Sequence, residues 1–126
     1  MSQDQPNIAE ILDTVKEFAQ GVAERSSGAE RYDALCAAFL MGVVQRELVL
    51  GEGQDVRQRI ELGELTGQQG NLTELYRVFS NSVRDGDYDD KWDSALEFTF
   101  NQVIDKVRVT NPNHLEAEHR QDQSEP

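Results

Sequence analysis

Ala34-Leu35-Cys36-Ala37-Ala38-Phe39-Leu40-Met41-Gly42-Val43-Val44 is the longest apolar run in the chain, and its reading decides the fold. As a helix, eleven residues span about 16 Å, roughly half of the ~30 Å hydrocarbon core of a bilayer. The run therefore reads as a buried helix. It is apolar on every side, so its expected place is the centre of a core. Ala34, Ala37, Ala38 and Gly42 are small and let neighbouring helices come close. The helical pattern extends from about Glu30 to Leu50. Gln45, Arg46 and Glu47 interrupt it near the end, and Gly51 is the expected C-terminal stop.

The flanking segments repeat the helical period. Ile8, Ile11, Leu12, Val15, Phe18, Ala19 and Val22 predict a helix over residues 8–24. Asn7 with Glu10 three residues on is a capping-box arrangement for its start. Ser26-Ser27-Gly28 breaks the chain. A more charged helix is expected over 53–65, on Val56, Ile60 and Leu65, followed by a loop over 67–70. Asn71 and Glu74 repeat the capping box before a helix over 72–84, whose stripe is Leu72, Leu75, Tyr76, Phe79 and Val83. A last helix over 91–109 presents Trp92, Leu96, Phe100, Val103 and Val107, with Phe98 and Ile104 beside them. Asn111-Pro112 stops it. Period-2 alternation is lacking throughout. The expectation is an all-α fold, a compact bundle of about five helices in one domain over residues 7–115. Residues 1–6 and the acidic tail over 116–126 have little to bury and are expected to be disordered.

Composition narrows the function. The 126 residues carry 12 Lys and Arg against 24 Asp and Glu, a net charge of -12. Nucleic acid and anionic membranes are disfavoured as partners, because both demand clustered cations. The acidic faces read mainly as solvated surface, with steering of a basic partner as the lesser reading. One cysteine excludes an internal disulfide framework and a Cys-based zinc site. Cys36 lies inside the apolar run and reads as a small buried hydrophobe. The polar N-terminus is unlike a secretory signal, so a cytoplasmic location is expected.

Motifs for catalysis fail on spacing. Glu116-x-x-His119 is the one match to a di-iron carboxylate pattern, and it stands in the tail. Asp85, Asp87 and Asp89 resemble the start of a calcium loop, but Asp90 and Leu96 occupy the places that need Gly and Glu. Their simpler role is to end one helix and begin the next. The glycines form no phosphate cradle, and no GxSxG occurs. No cofactor or metal is expected. Arg46 and Glu47, adjacent on a helix, point about 100° apart and need other partners if buried. Asp105, Lys106 and Arg108 are the candidates. The favoured reading is a tie between the second helix and the last one. Contact with a partner protein is second. Catalysis by Arg46, Glu47 and Lys106 is a distant third.

Three segments together carry a resemblance. They are Ala9 to Phe18, then Val43-Val44-Gln45-Arg46-Glu47-Leu48 ending at Gly51, then Asp105-Lys106-Val107-Arg108-Val109-Thr110-Asn111-Pro112 closed by Leu115. Their order resembles a family of small bacterial proteins of undefined function, with an "ELL-AV-EFL" first helix, a helix ending in "RELxLG" and a terminal "DKLRVANPxYL". The chain departs from it at Ser26 to Glu30, at His114 where an aromatic is common, and in the acidic tail. The resemblance implies an accessory subunit of a kinase similar to aminoglycoside phosphotransferases. That kinase would phosphorylate a hydroxyacyl-CoA, in the company of an acyl-CoA dehydrogenase-like enzyme. Arg46, Glu47, Asp105, Lys106, Arg108 and Asn111 are then the candidate structural or partner-contact residues. The alternatives are a stand-alone helical module for acyl-CoA or another apolar ligand, and a homodimeric structural protein.

Overall fold

The computed structural model describes residues 5–120. The protein is all-α, with no strand among the described residues. Five α-helices follow in order: α1 (Ile8–Glu24), α2 (Gly28–Thr66), α3 (Leu72–Arg84), α4 (Trp92–Thr110) and α5 (Ala117–Arg120). A single 3-10 turn (Pro112–His114) precedes α5.

Local signals set most of the boundaries. Asn7 accepts the Glu10 amide at 2.9 Å while the Glu10 carboxylate accepts the Asn7 amide at 2.9 Å. Asn71 and Glu74 do the same at 2.8 and 3.1 Å. Each box satisfies two orphan amides at a helix start. Gly86, at φ 88, turns the chain away after α3, whose C-cap is Asp85. The start of α4 differs from expectation: Lys91 is its N-cap, with no side-chain hydrogen bond, and Asp93 is the acid in its first turn.

The largest difference lies at Gly51. Two helices were expected, over 30–50 and 53–65, and the structure joins them into one helix of 39 residues. Gly51 is buried and helical, not a stop. A glycine costs a helix interior only about 0.5–1 kcal/mol, which packing at this buried position offsets.

The chain divides into two units, one up to Val49 and one from Leu50. In the first, α1 and the opening half of α2 run antiparallel. The Lys16 ammonium donates to Gln45 Oε1 at 2.9 Å and Gln45 Nε2 donates to Asp13 at 2.7 Å, while Arg31 reaches the Ala23 carbonyl at 2.6 Å. The seam is small: Ala19, Ala23, Ala34 and Ala38 are buried, as is Gly42. Many of the large apolar residues, among them Ile11, Val15, Phe18 and Leu40, are exposed. The apolar stretch of α2 was expected in the core, yet only 17% of its most apolar window is buried. Cys36 is half-buried where full burial was expected.

The second unit has a core of its own. Leu62, Leu75, Phe79, Tyr88, Ala95 and Phe98 form one buried cluster, with Leu65, Leu72, Tyr76 and Val83 against it. Phe79 meets both Tyr88 and Phe98 edge-on at 5.4 Å between ring centres. The Tyr88 hydroxyl donates to the Leu65 carbonyl at 3.2 Å, pinning the 85–91 turn to α2. On α4 the buried side is Ala95, Phe98, Ile104, Asp105 and Val109, so the stripe from Trp92 to Val103 faces out instead of in. The predicted disordered tail begins with ordered residues: 117–120 form one helical turn, and residues 121–126 lie outside the described residues, as do residues 1–4 of the N-terminal segment.

Candidate functional site

Asp105 is the chemical centre of the second unit. It is 2% exposed on α4, where an isolated carboxylate would be costly. The carboxylate is fully engaged. Gln58 Nε2 donates to Oδ2 at 2.8 Å, the Arg57 guanidinium pairs with the same oxygen, and Arg108 lies 3.4 Å from Oδ1. Gln54 donates to the Asp105 backbone carbonyl at 3.0 Å. Tyr76 on α3 donates to Gln58 Oε1 at 2.7 Å, so α2, α3 and α4 meet in one polar network. Burial, then the carboxylates of Asp105, Asp55 and Glu61, push the Tyr76 hydroxyl up to about 12. Such a network holds helices in register. Among the described residues of the network, no nucleophile stands beside a base.

Arg108 extends the network outward. Its Nε donates to the His119 carbonyl at 3.0 Å, and the His119 ring meets Phe100 edge-on at 5.8 Å. Thus α5 is fastened to α4 at two points.

The sequence candidates fall into both units. Asp105 and Arg108 join the hub. Lys106 is exposed, and Asn111 caps α4 by donating its amide to the Val107 carbonyl at 2.8 Å. Arg46 and Glu47 belong to the first unit, with the Arg46 guanidinium over Gly42 and Glu47 exposed. Gln54, Arg57 and Gln58 tie α2 to α4. Sequence reasoning missed them. The available signal was Gln54 and Gln58 at i and i+4, in line with Leu62, which places amides on a core-facing stripe.

The outward surfaces of the second unit are strongly apolar. Trp92, Leu96, Phe100 and Val103 are each more than half exposed. At 100° per residue they fall within about 80° of the α4 circumference, so they form one stripe. Val56 and Ile60 on α2 are also exposed. A separate cavity of about 350 Å³ is lined by Glu61, Glu64, Glu97, Ser94, Phe98 and Asn101. Its three carboxylates repel anions. Among the described residues, no group of three His, Cys, Asp or Glu side chains is placed to hold a metal ion.

A domain of unknown function, DUF6285, matches residues 24–114. The chain belongs to the DUF6285 family. The match runs from the end of α1 through the 3-10 turn, so it takes in the Asp105 hub and the apolar stripe of α4. No curated protein and no solved structure matches the chain.

Proposed function

We propose that this DUF6285 protein is a non-catalytic subunit that docks on a kinase similar to aminoglycoside phosphotransferases. The observation that carries the docking role is the apolar stripe of α4. Trp92, Leu96, Phe100 and Val103 expose from 51 to 55% of their surface. Aromatic side chains on a rigid helix are the usual anchors of a protein interface. The Asp105 hub sets the rotation of α4 against α2 and α3, and so decides which residues face out.

The identity of the partner rests on the resemblance of Ala9 to Phe18, Val43 to Gly51 and Asp105 to Leu115 to a family of small bacterial proteins that look like companions of such kinases. In this reading the kinase phosphorylates a hydroxyacyl-CoA in the cytoplasm, and an acyl-CoA dehydrogenase-like enzyme takes the product onward. The bound subunit stabilises the kinase or shapes its acyl-CoA site. A stand-alone acyl-CoA module is the weaker reading, because the cavity beside α4 is lined by Glu61, Glu64 and Glu97, which repel the phosphates of CoA.

The test is co-expression with a phosphotransferase-like kinase from the same cell. The expected result is co-purification near one-to-one and acyl-CoA phosphorylation that falls when this chain is omitted. A kinase that is soluble and fully active alone would overturn the proposal.

A further inference from the structure

The α1–α2 hairpin of the first unit has a surface that its own packing leaves uncovered. The buried residues of its seam are Ala19, Ala23, Ala34, Ala38 and Gly42, while Ile11, Val15, Phe18, Leu40, Val44 and Leu48 are 39 to 66% exposed. On α1, Ile11, Val15 and Phe18 lie about a quarter turn behind the alanine seam; on α2, Val44 and Leu48 lie about a quarter to a third of a turn behind theirs in the same sense, and Leu40 lies nearly opposite it. In an antiparallel pair, equal offsets of this kind fall on one side of the hairpin. Ile11, Val15, Phe18, Val44 and Leu48 therefore share a face, with Leu40 at its α2 edge.

We propose that this face binds the same face of a second copy, giving a four-helix bundle of two hairpins. Three observations favour that occupant. First, the size fits. Six half-exposed side chains offer roughly 80 Å² each, about 500 Å² of apolar surface. An interface core that is about 65% apolar then implies about 800 Å² per copy, the standard size for a specific pair. Second, the face is self-complementary. Val15 and Val44 stand near its middle, with Phe18 and Leu40 toward one end and Ile11 and Leu48 toward the other. A two-fold axis through the valines sets the larger end of each copy on the smaller end of its partner. Third, these six positions carry no charge, and the nearest acid, Glu47, stands beside Leu40 at the edge of the face. The hairpin is half of a four-helix bundle, and a second copy supplies the other half.

A bilayer is the competing class, because α2 is long and apolar enough to span one by length and composition, with a mean hydropathy of 1.6 over its best window. That window fits poorly, since Arg46 and Glu47 interrupt the apolar stretch and α1 brings the Asp13–Gln45–Lys16 cluster alongside it.

The test uses the full chain in detergent-free buffer, without the kinase, so its failure is separate from failure of the kinase reading. Light scattering is expected to give about 28 kDa, twice the 14.2 kDa of one chain. Val15→Glu is expected to weaken the dimer at least 100-fold with unchanged helical circular dichroism. If that variant does not fold, Val44→Cys in a Cys36→Ser background decides. It is expected to form a disulfide-linked dimer on oxidation, while Asp13→Cys in the same background does not. A chain that stays at 14.2 kDa across micromolar concentrations, equal cross-linking at both positions, or recovery of the chain with zwitterionic lipid vesicles would each overturn the proposal.

Discussion

Gln58 donates from Nε2 to the Asp105 carboxylate at 2.8 Å and accepts the Tyr76 hydroxyl at 2.7 Å on its other amide atom. One side chain thus joins three helices through a buried acid. The arrangement explains how α4 keeps a charge at 2% exposure. It also explains why the large side chains of α4 face out, since the side bearing Asp105 is the one turned to α2.

Removing the acid leaves its donors without an acceptor. Asp105→Ala is expected to cost about 3 kcal/mol, because breaking a buried pair strands the partners. Arg57→Ala is expected to cost about 1 kcal/mol or less, since the Arg57 side chain is 44% exposed and solvent screens it. Urea denaturation of the two variants checks the order. A smaller loss for Asp105→Ala than for Arg57→Ala would contradict the hub.

The hub also predicts a response to alkali. The Tyr76 hydroxyl ionises at about 12 in the folded protein, against an ordinary 10. Its folded value is raised, so its contribution to stability is whole below pH 10 and is lost as pH climbs toward 12. Tyr76→Phe is expected to be less stable by about 1 kcal/mol at neutral pH, through the lost hydrogen bond. The same variant is expected to fall less steeply between pH 10 and 12. Denaturation midpoints of both proteins at pH 8, 10 and 11.5 measure this directly, and parallel curves would count against the assignment.

Two glycines in opposite backbone conformations give opposite expectations. Gly53 lies inside α2 and a Cβ there meets nothing within 4 Å. Gly53→Ala is therefore expected to stabilise the protein by about 0.5–1 kcal/mol. Gly86 has φ 88, and a Cβ there would meet Asp89 Oδ2 at 3.0 Å. Gly86→Ala is expected to cost about 1 kcal/mol or more. Thermal melts of the pair should move in opposite directions. A drop at Gly53→Ala would mean that α2 ends near Gly51.

What the sequence revealed depended on range. Both capping boxes were legible, because Asn7 with Glu10 and Asn71 with Glu74 act within one turn. The helix break at Gly51 was misread, since a glycine marks a stop only when its backbone takes a left-handed turn, and Gly51 does not. The buried side of α4 was misread for a different reason. Periodicity puts Trp92, Leu96 and Phe100 inward with Phe98 and Ile104 beside them, and of these Phe98 and Ile104 are buried while the other three are exposed. What puts the smaller set inside is Asp105 with its partners Arg57 and Gln58, 48 and 47 positions away, a pairing that helical periodicity alone does not join.

Trp92 allows the docking role to be read by light. It is the one tryptophan of the chain and is 51% exposed at the start of α4. The free protein is therefore expected to emit at the long wavelength of a hydrated indole. Docking of the α4 stripe removes that water, so adding the kinase is expected to shift the emission to the blue and reduce quenching by iodide. Because Trp92 and Phe100 lie outside the core of the second unit, Trp92→Ala with Phe100→Ala should leave the core intact while weakening kinase binding at least 100-fold, as loss of two interface anchors implies. If the emission stays unchanged at saturating kinase, the stripe is not the docking surface, whatever else the two proteins do together.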